Sequence, residues 1–162
     1  MAKSEYDVRV TPSLFDRLLD LEYKDSRDPA GTRTESVRDL KRAVQRDLEN
    51  LLNCRNSNAD LPTAFTEAGQ SVVTYGLPDF SALNVSNPND QNRLRQLIEG
   101  AIRTFEPRLA SVSTTLLPAS TTDRSLRLRI DARLLMEPTP EAVSFDVVMP
   151  FQTLKYEVKD LS

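Results

Sequence analysis

Three acidic side chains, Glu99, Glu106 and Asp131, are the residues of this chain that could carry out a reaction, because glycoside hydrolysis needs only two carboxyl groups flanking a sugar bond. A pair of that kind would make the chain a peptidoglycan-cleaving, lysozyme-like hydrolase, yet their spacing does not set two of them across a cleft. Other chemistries are harder to build. The chain has no histidine, which removes the commonest general base, the commonest zinc ligand and every Ser-His or Cys-His nucleophile at once. Cys54 is the only cysteine, so no internal disulfide forms and a reduced thiol is expected. Only four glycines occur, none arranged as a GxGxxG or GxxxxGKS phosphate loop, and neither cofactor nor small-molecule substrate is expected. The grouping that stands out is Glu106-Pro107-Arg108, an acid and a base separated by a residue of fixed φ. A guanidinium can hold a carboxylate bidentately, which suits binding better than turnover.

This triplet lies where two hydrophobic periods meet. From Asn87 to Leu109, Leu94, Leu97, Ile98, Ala101, Ile102 and Phe105 recur at steps of three and four, which predicts an amphipathic helix. Asn87 is placed to cap it, Pro88 suits the first helical position, and Pro107 stops it by disfavouring helical geometry at Glu106. Beyond the corner the period becomes two. Leu109–Leu117 is β-like; Leu126, Leu128, Ile130, Ala132 and Leu134 alternate with Arg127, Arg129, Asp131 and Arg133; Val143, Phe145, Val147 and Met149 alternate again. Pro150 predicts an edge position for that last strand, and Phe151, Leu154, Tyr156 and Val158 suggest a final extended arm.

Upstream, Ser36–Asn53 predicts a second helix with Val37, Leu40, Val44, Leu48, Leu51 and Leu52 on its apolar stripe, and Ser36 with Asp39 forms a capping-box-like start. Residues 54–70 read as a loop, and Ser71–Phe80 as a short extended piece leading into a rigid turn at Gly76 and Pro78. Two helices followed by three or four strands describe an α+β fold, with the helices on one face of a small, mainly antiparallel sheet. Residues 1–33 stand apart. Ser13 can cap a two-turn helix carrying Leu14, Phe15, Leu18 and Leu19, too short to be stable alone, ahead of the polar tract 24–33. They read as a docking arm before an α+β domain over 34–162.

At 162 residues, 39% hydrophobic and 28% charged, the chain has the make-up of an ordinary globular domain. No apolar run approaches the roughly 20 residues of a transmembrane helix and no signal region opens the chain, so a cytoplasmic protein is expected. A net charge of −3 disfavours non-specific binding of nucleic acid. The arginine bias suits carboxylate pairing at protein interfaces.

Several separated segments together resemble one family. PSLFDRL (residues 12–18), SVRDLKRAVQRDLENLLN (36–53), YGLPDF (75–80) and FEPRL (105–109) stand in the order and spacing of the TssE family of type VI secretion baseplates. That family belongs to the wider phage baseplate-wedge group once labelled lysozyme-like. The resemblance covers nearly the whole chain. It implies a non-enzymatic baseplate component whose domain resembles the sheath C-terminal domain, which docks on the wedge proteins TssF and TssG and whose sheet accepts strands from contractile sheath subunits. It also implies assembly at the cytoplasmic side of an inner-membrane secretion complex. Residues expected to bind partners are Glu106, Pro107 and Arg108, matching the family's Glu-Pro-Arg motif, with Leu14, Phe15, Asp16, Arg17 and Leu18, and Tyr75, Gly76, Leu77, Pro78 and Asp79. Relatives often carry an arginine pair after Leu51-Leu52-Asn53, whereas this chain reads Cys54-Arg55-Asn56, so a contact by a second arginine does not carry over. The competing readings are a lysozyme-like hydrolase and a generic protein-interaction module.

Overall fold

The computed structural model of the protein describes residues 37–56, 65, 67–84, 87–117, 125–136, 139–150 and 155–161. The expected N-terminal arm, with Leu14, Phe15, Asp16, Arg17 and Leu18, and the expected cap Ser36 lie outside the described residues. Helix α1 (Val37–Asn53) buries Leu40, Ala43, Val44, Leu48, Leu51 and Leu52. Ala43 joins the expected stripe, while Val37 at the first turn is only half-buried. Helix α2 (Pro88–Phe105) begins as the residue types predict, with the Asn87 side chain accepting from the Asn89 N–H and Pro88 in the first turn.

Four strands follow: β1 (Leu109–Leu117), β2 (Ser125–Leu134), β3 (Glu141–Pro150) and β4 (Glu157–Asp160). They pair antiparallel in the order β1-β2-β3-β4. Strict alternation sends Leu126, Leu128, Ile130, Ala132 and Leu134 of β2, and Val143, Phe145, Val147 and Met149 of β3, into the core beneath the helices. The opposite face carries Arg127, Arg129, Asp131, Ser144 and Asp146, including the pair Arg129–Asp146 at 3.1 Å. Helix α2 packs against β1 and α1 against β4, so each helix flanks one rim of the sheet. A bulge between Ala110 and Ser113, with Ser111 at φ 53°, kinks β1 just after the corner.

Two expectations are corrected. Pro150 does not mark an edge strand, because β3 lies between two partners, pairing with β2 along its whole length and with β4 from Phe145 to Val148. Residues 72–74 form a 3-10 helix, not an extended piece, with a second 3-10 turn at Glu67–Gln70. The cause is polar. Ser71 caps the turn by accepting from Val73 N–H, and Thr74 Oγ1 donates to the Gly69 carbonyl at 3.0 Å.

Candidate functional site

Helix α2 ends where Glu106 leaves helical geometry at φ −123°, ψ 77°, its N–H still donating to the Ile102 carbonyl at 2.8 Å. Pro107 cannot continue the ladder, and Leu109 N–H closes the turn on the Glu106 carbonyl at 3.1 Å. The far side is tied down as well, because Leu135 N–H, just past β2, donates to the Arg108 carbonyl at 2.8 Å. Backbone bonds thus hold the corner from both directions.

Within it, Arg108 Nε and Nη2 donate to Glu106 Oε1 and Oε2 at 2.6 and 2.5 Å, a two-pronged pair in which Glu106 is buried at 4% exposure. The same Nη2 donates to Asp47 Oδ2 of α1 at 2.6 Å. The other oxygen of Asp47 accepts from Arg46, at 3.1 Å from Nε and 3.0 Å from Nη2. Charges therefore alternate along Arg46, Asp47, Arg108 and Glu106. The Glu106 hydrogen bond holds the Arg108 proton more firmly than in water, against the opposing effect of burial.

Beside the network lies a cavity of about 430 Å³ lined by Asp47, Leu51, Tyr75, Phe105, Glu106, Pro107 and Arg108. Tyr75 meets Phe105 edge to face, ring centroids 5.2 Å apart. Burial, then the negative charges of Cys54, Asp47 and Glu106, raise the pKa of the Tyr75 phenol. The turn after Tyr75 is locked to the end of α1. Gly76 sits at φ +104° against the Cys54 carbonyl, Leu77 N–H donates to that carbonyl at 2.9 Å, and Asn56 Nδ2 donates to the Thr74 and Gly76 carbonyls, each at 3.2 Å. Arg55 stacks 4.3 Å over the Phe80 ring. Asn56 is thus the latch of this turn.

The structure brings Tyr75, Glu106, Pro107 and Arg108 around one cavity. Gly76 and Leu77 are interior, so their part is to shape the turn, while Asp79 is exposed and half-exposed Pro78 lies beside it. The Ser81 N–H donates to Asp79 at 2.9 Å and lowers its pKa. Asp47 was not among the expected residues. Its sequence signal is weak, since an aspartate on the polar face of a helix reads as solvated.

The three candidate catalytic carboxylates are engaged elsewhere. Glu106 has both oxygens on Arg108; Glu99 accepts from Thr114 N–H at 2.8 Å and from Arg103 at 3.1 Å; Asp131 accepts from Ser144 on the sheet face away from the helices. No two of them share a partner. Among the described residues, no His, Cys, Asp and Glu cluster is fit to hold a metal ion, and no helix is long and apolar enough to cross a membrane.

Comparison with known proteins finds no match to an individually curated one. The profile of a family described as baseplate wedge protein gp25 matches residues 38–139, from the first turn of α1 to just before β3. That span is more than half of the 162-residue chain and includes the corner, the turn at Gly76 and Asp47, and so the chain belongs to the baseplate wedge protein gp25 family.

Proposed function

We propose that this chain is a TssE-type subunit of a type VI secretion baseplate, which links the wedge proteins TssF and TssG to contractile sheath subunits and starts sheath assembly by strand addition. It acts without catalysis, at the cytoplasmic side of an inner-membrane secretion complex. The observation that carries this reading is the corner Glu106-Pro107-Arg108, locked onto Asp47 beside an open cavity, within a chain of the baseplate wedge family. Every carboxylate of the corner is neutralised and held, as a rigid docking point requires and a proton donor does not. Val72 and Val73, shortly before Tyr75, add exposed apolar surface at 91% and 53%. Residues 1–33 serve in this reading as a second contact, through the stripe of Leu14, Phe15 and Leu18.

The test is co-purification of the full chain with TssF and TssG, followed by sheath assembly, comparing wild type with Glu106→Ala and Arg108→Ala. Both variants are expected to lose the wedge while remaining folded by circular dichroism. Folded variants with wild-type recovery and normal sheaths would remove the corner from the interface. Clearing of a cell-wall suspension by the purified chain would overturn the non-enzymatic reading.

A further inference from the structure

Around the corner every carboxylate oxygen is spent, while two sets of donors are not. Glu106 Oε1 and Oε2 accept from Arg108 Nε and Nη2, and Asp47 Oδ1 and Oδ2 accept from Arg46 and Arg108. A guanidinium has five N–H groups, one on Nε and two on each Nη. The one on Nε and the two on Nη2 go to Glu106 and Asp47, which leaves both on Nη1. Among the described residues nothing accepts from Nη1 or from the Tyr75 hydroxyl, and neither atom is sealed from solvent.

Arg108 and Tyr75 line the same cavity of about 430 Å³, and Leu51, Phe105 and Pro107 give the rest of its wall a largely hydrocarbon surface. An occupant that fits therefore brings an acceptor on an apolar stem. Charge decides which acceptor. Arg46 and Arg108 already balance Asp47 and Glu106, so a carboxylate entering here would leave the group with a net negative charge. Burial first, and then the negative charge of neighbours that include Asp47 and Glu106, oppose ionisation of the Tyr75 phenol, and a carboxylate beside it would meet the same obstacles. A carbonyl oxygen has two lone pairs and no charge, and takes both donors without that repulsion.

We propose that this cavity receives a side chain of a wedge subunit carrying a neutral carbonyl on an apolar stem, as glutamine does, with Arg108 Nη1 and the Tyr75 hydroxyl donating to the carbonyl oxygen. This rests on the docking reading above and adds the chemistry of the occupant and the two atoms that hold it. Glu106 and Asp47 then act behind the contact. By occupying Nε and Nη2 they fix the plane of the guanidinium, so that Nη1 is held in place before the partner arrives.

The experiment uses the full chain with the purified TssF–TssG wedge as the probe. Tyr75→Phe removes only the hydroxyl and keeps the ring against Phe105, so its melting curve should match the wild type while wedge affinity falls about fivefold, the equivalent of one neutral hydrogen bond. The loss should be the same at about 0.1 M and about 0.5 M salt, because a neutral acceptor is not screened. In the wild type, with no variant needed, exchange of the Arg108 Nη1 protons with water should slow when the wedge is added. Wedge binding with unchanged exchange at Nη1, or equal affinity of a folded Tyr75→Phe, overturns the cavity assignment alone. A loss that shrinks at high salt assigns a carboxylate and overturns the neutral carbonyl. Absence of wedge binding by the wild type overturns the functional reading together with this one. Slowing that rises with the concentration of the chain by itself assigns the cavity to a second copy and also overturns the proposal.

Discussion

Arg108 Nη2 stands 2.6 Å from Asp47 Oδ2, joining the corner after α2 to the middle of α1 across 61 positions of sequence. The bond makes the position of the corner a property of the helix pair, since neither α2 nor β1 alone sets its angle to α1. It also ranks two side chains, Arg108 and Asp47, by what each leaves behind when removed.

Arg108→Ala leaves the buried Glu106 carboxylate without its cation, and should cost about 3 kcal/mol, the low end of a broken buried pair. At two to four degrees per kcal/mol for a domain of this size, that is a drop of about 6–12 °C in melting temperature. Asp47, about a third exposed, should matter less, with Asp47→Ala costing about 1 kcal/mol. Thermal denaturation of both variants checks the order; an equal or reversed ranking would mean that Glu106 does not depend on Arg108.

Gly76→Ala should destabilise by more than about 2 kcal/mol, because the backbone is at φ +104° and a Cβ would come 2.5 Å from the Cys54 carbonyl oxygen. Gly100 offers the opposite case. It lies inside α2 with nothing within 4 Å of a built Cβ, so Gly100→Ala should stabilise by about 0.5–1 kcal/mol. Urea unfolding of the two variants tests both signs.

Alkali should weaken the fold through Tyr156. Burial pushes its phenol up to about 12, outweighing the Arg55 guanidinium, which pulls it down. The folded state therefore prefers the neutral phenol. Its contribution is whole below the ordinary tyrosine value near pH 10 and is lost as pH rises from there to about 12, amounting to roughly 2–3 kcal/mol. Tyr156→Phe should flatten that part of the stability profile. Because the Tyr156 hydroxyl makes no hydrogen bond of good geometry, the change should cost under about 1 kcal/mol near neutrality. Denaturant titrations across this range decide it: a slope that survives the substitution assigns the loss to other groups.

Asn53→Ala removes both bonds to Tyr156 and one to the Glu49 carbonyl, and should cost about 1–3 kcal/mol. Hydrogen exchange should quicken most at the Tyr156 amide. Exchange that stays slow there would show that the rim of β4 does not need its side-chain partner.

The sequence by itself determined what neighbours along the chain decide. The start of α2 at Asn87 and Pro88, its end at Pro107, the alternation of β2 and β3 and the α+β class are local matters of caps, fixed φ and period, and the structure agrees with each. The elbow of Glu106 and Arg108 was legible for the same reason. The second half of the site was not. Asp47 looks like any polar helix residue, and only the packing of α1 beside the corner turns it into the partner of Arg108. Pro150 misleads about its strand, because the pairing of β4 with Phe145–Val148 makes β3 an interior strand, which the proline itself does not reveal. Closure of the rims by Asn53, Gln45, Glu99 and Arg103 was equally hidden, since a side chain finds a backbone group distant in sequence only once helix and sheet are docked. Tertiary structure decided which polar groups are spent on the chain itself.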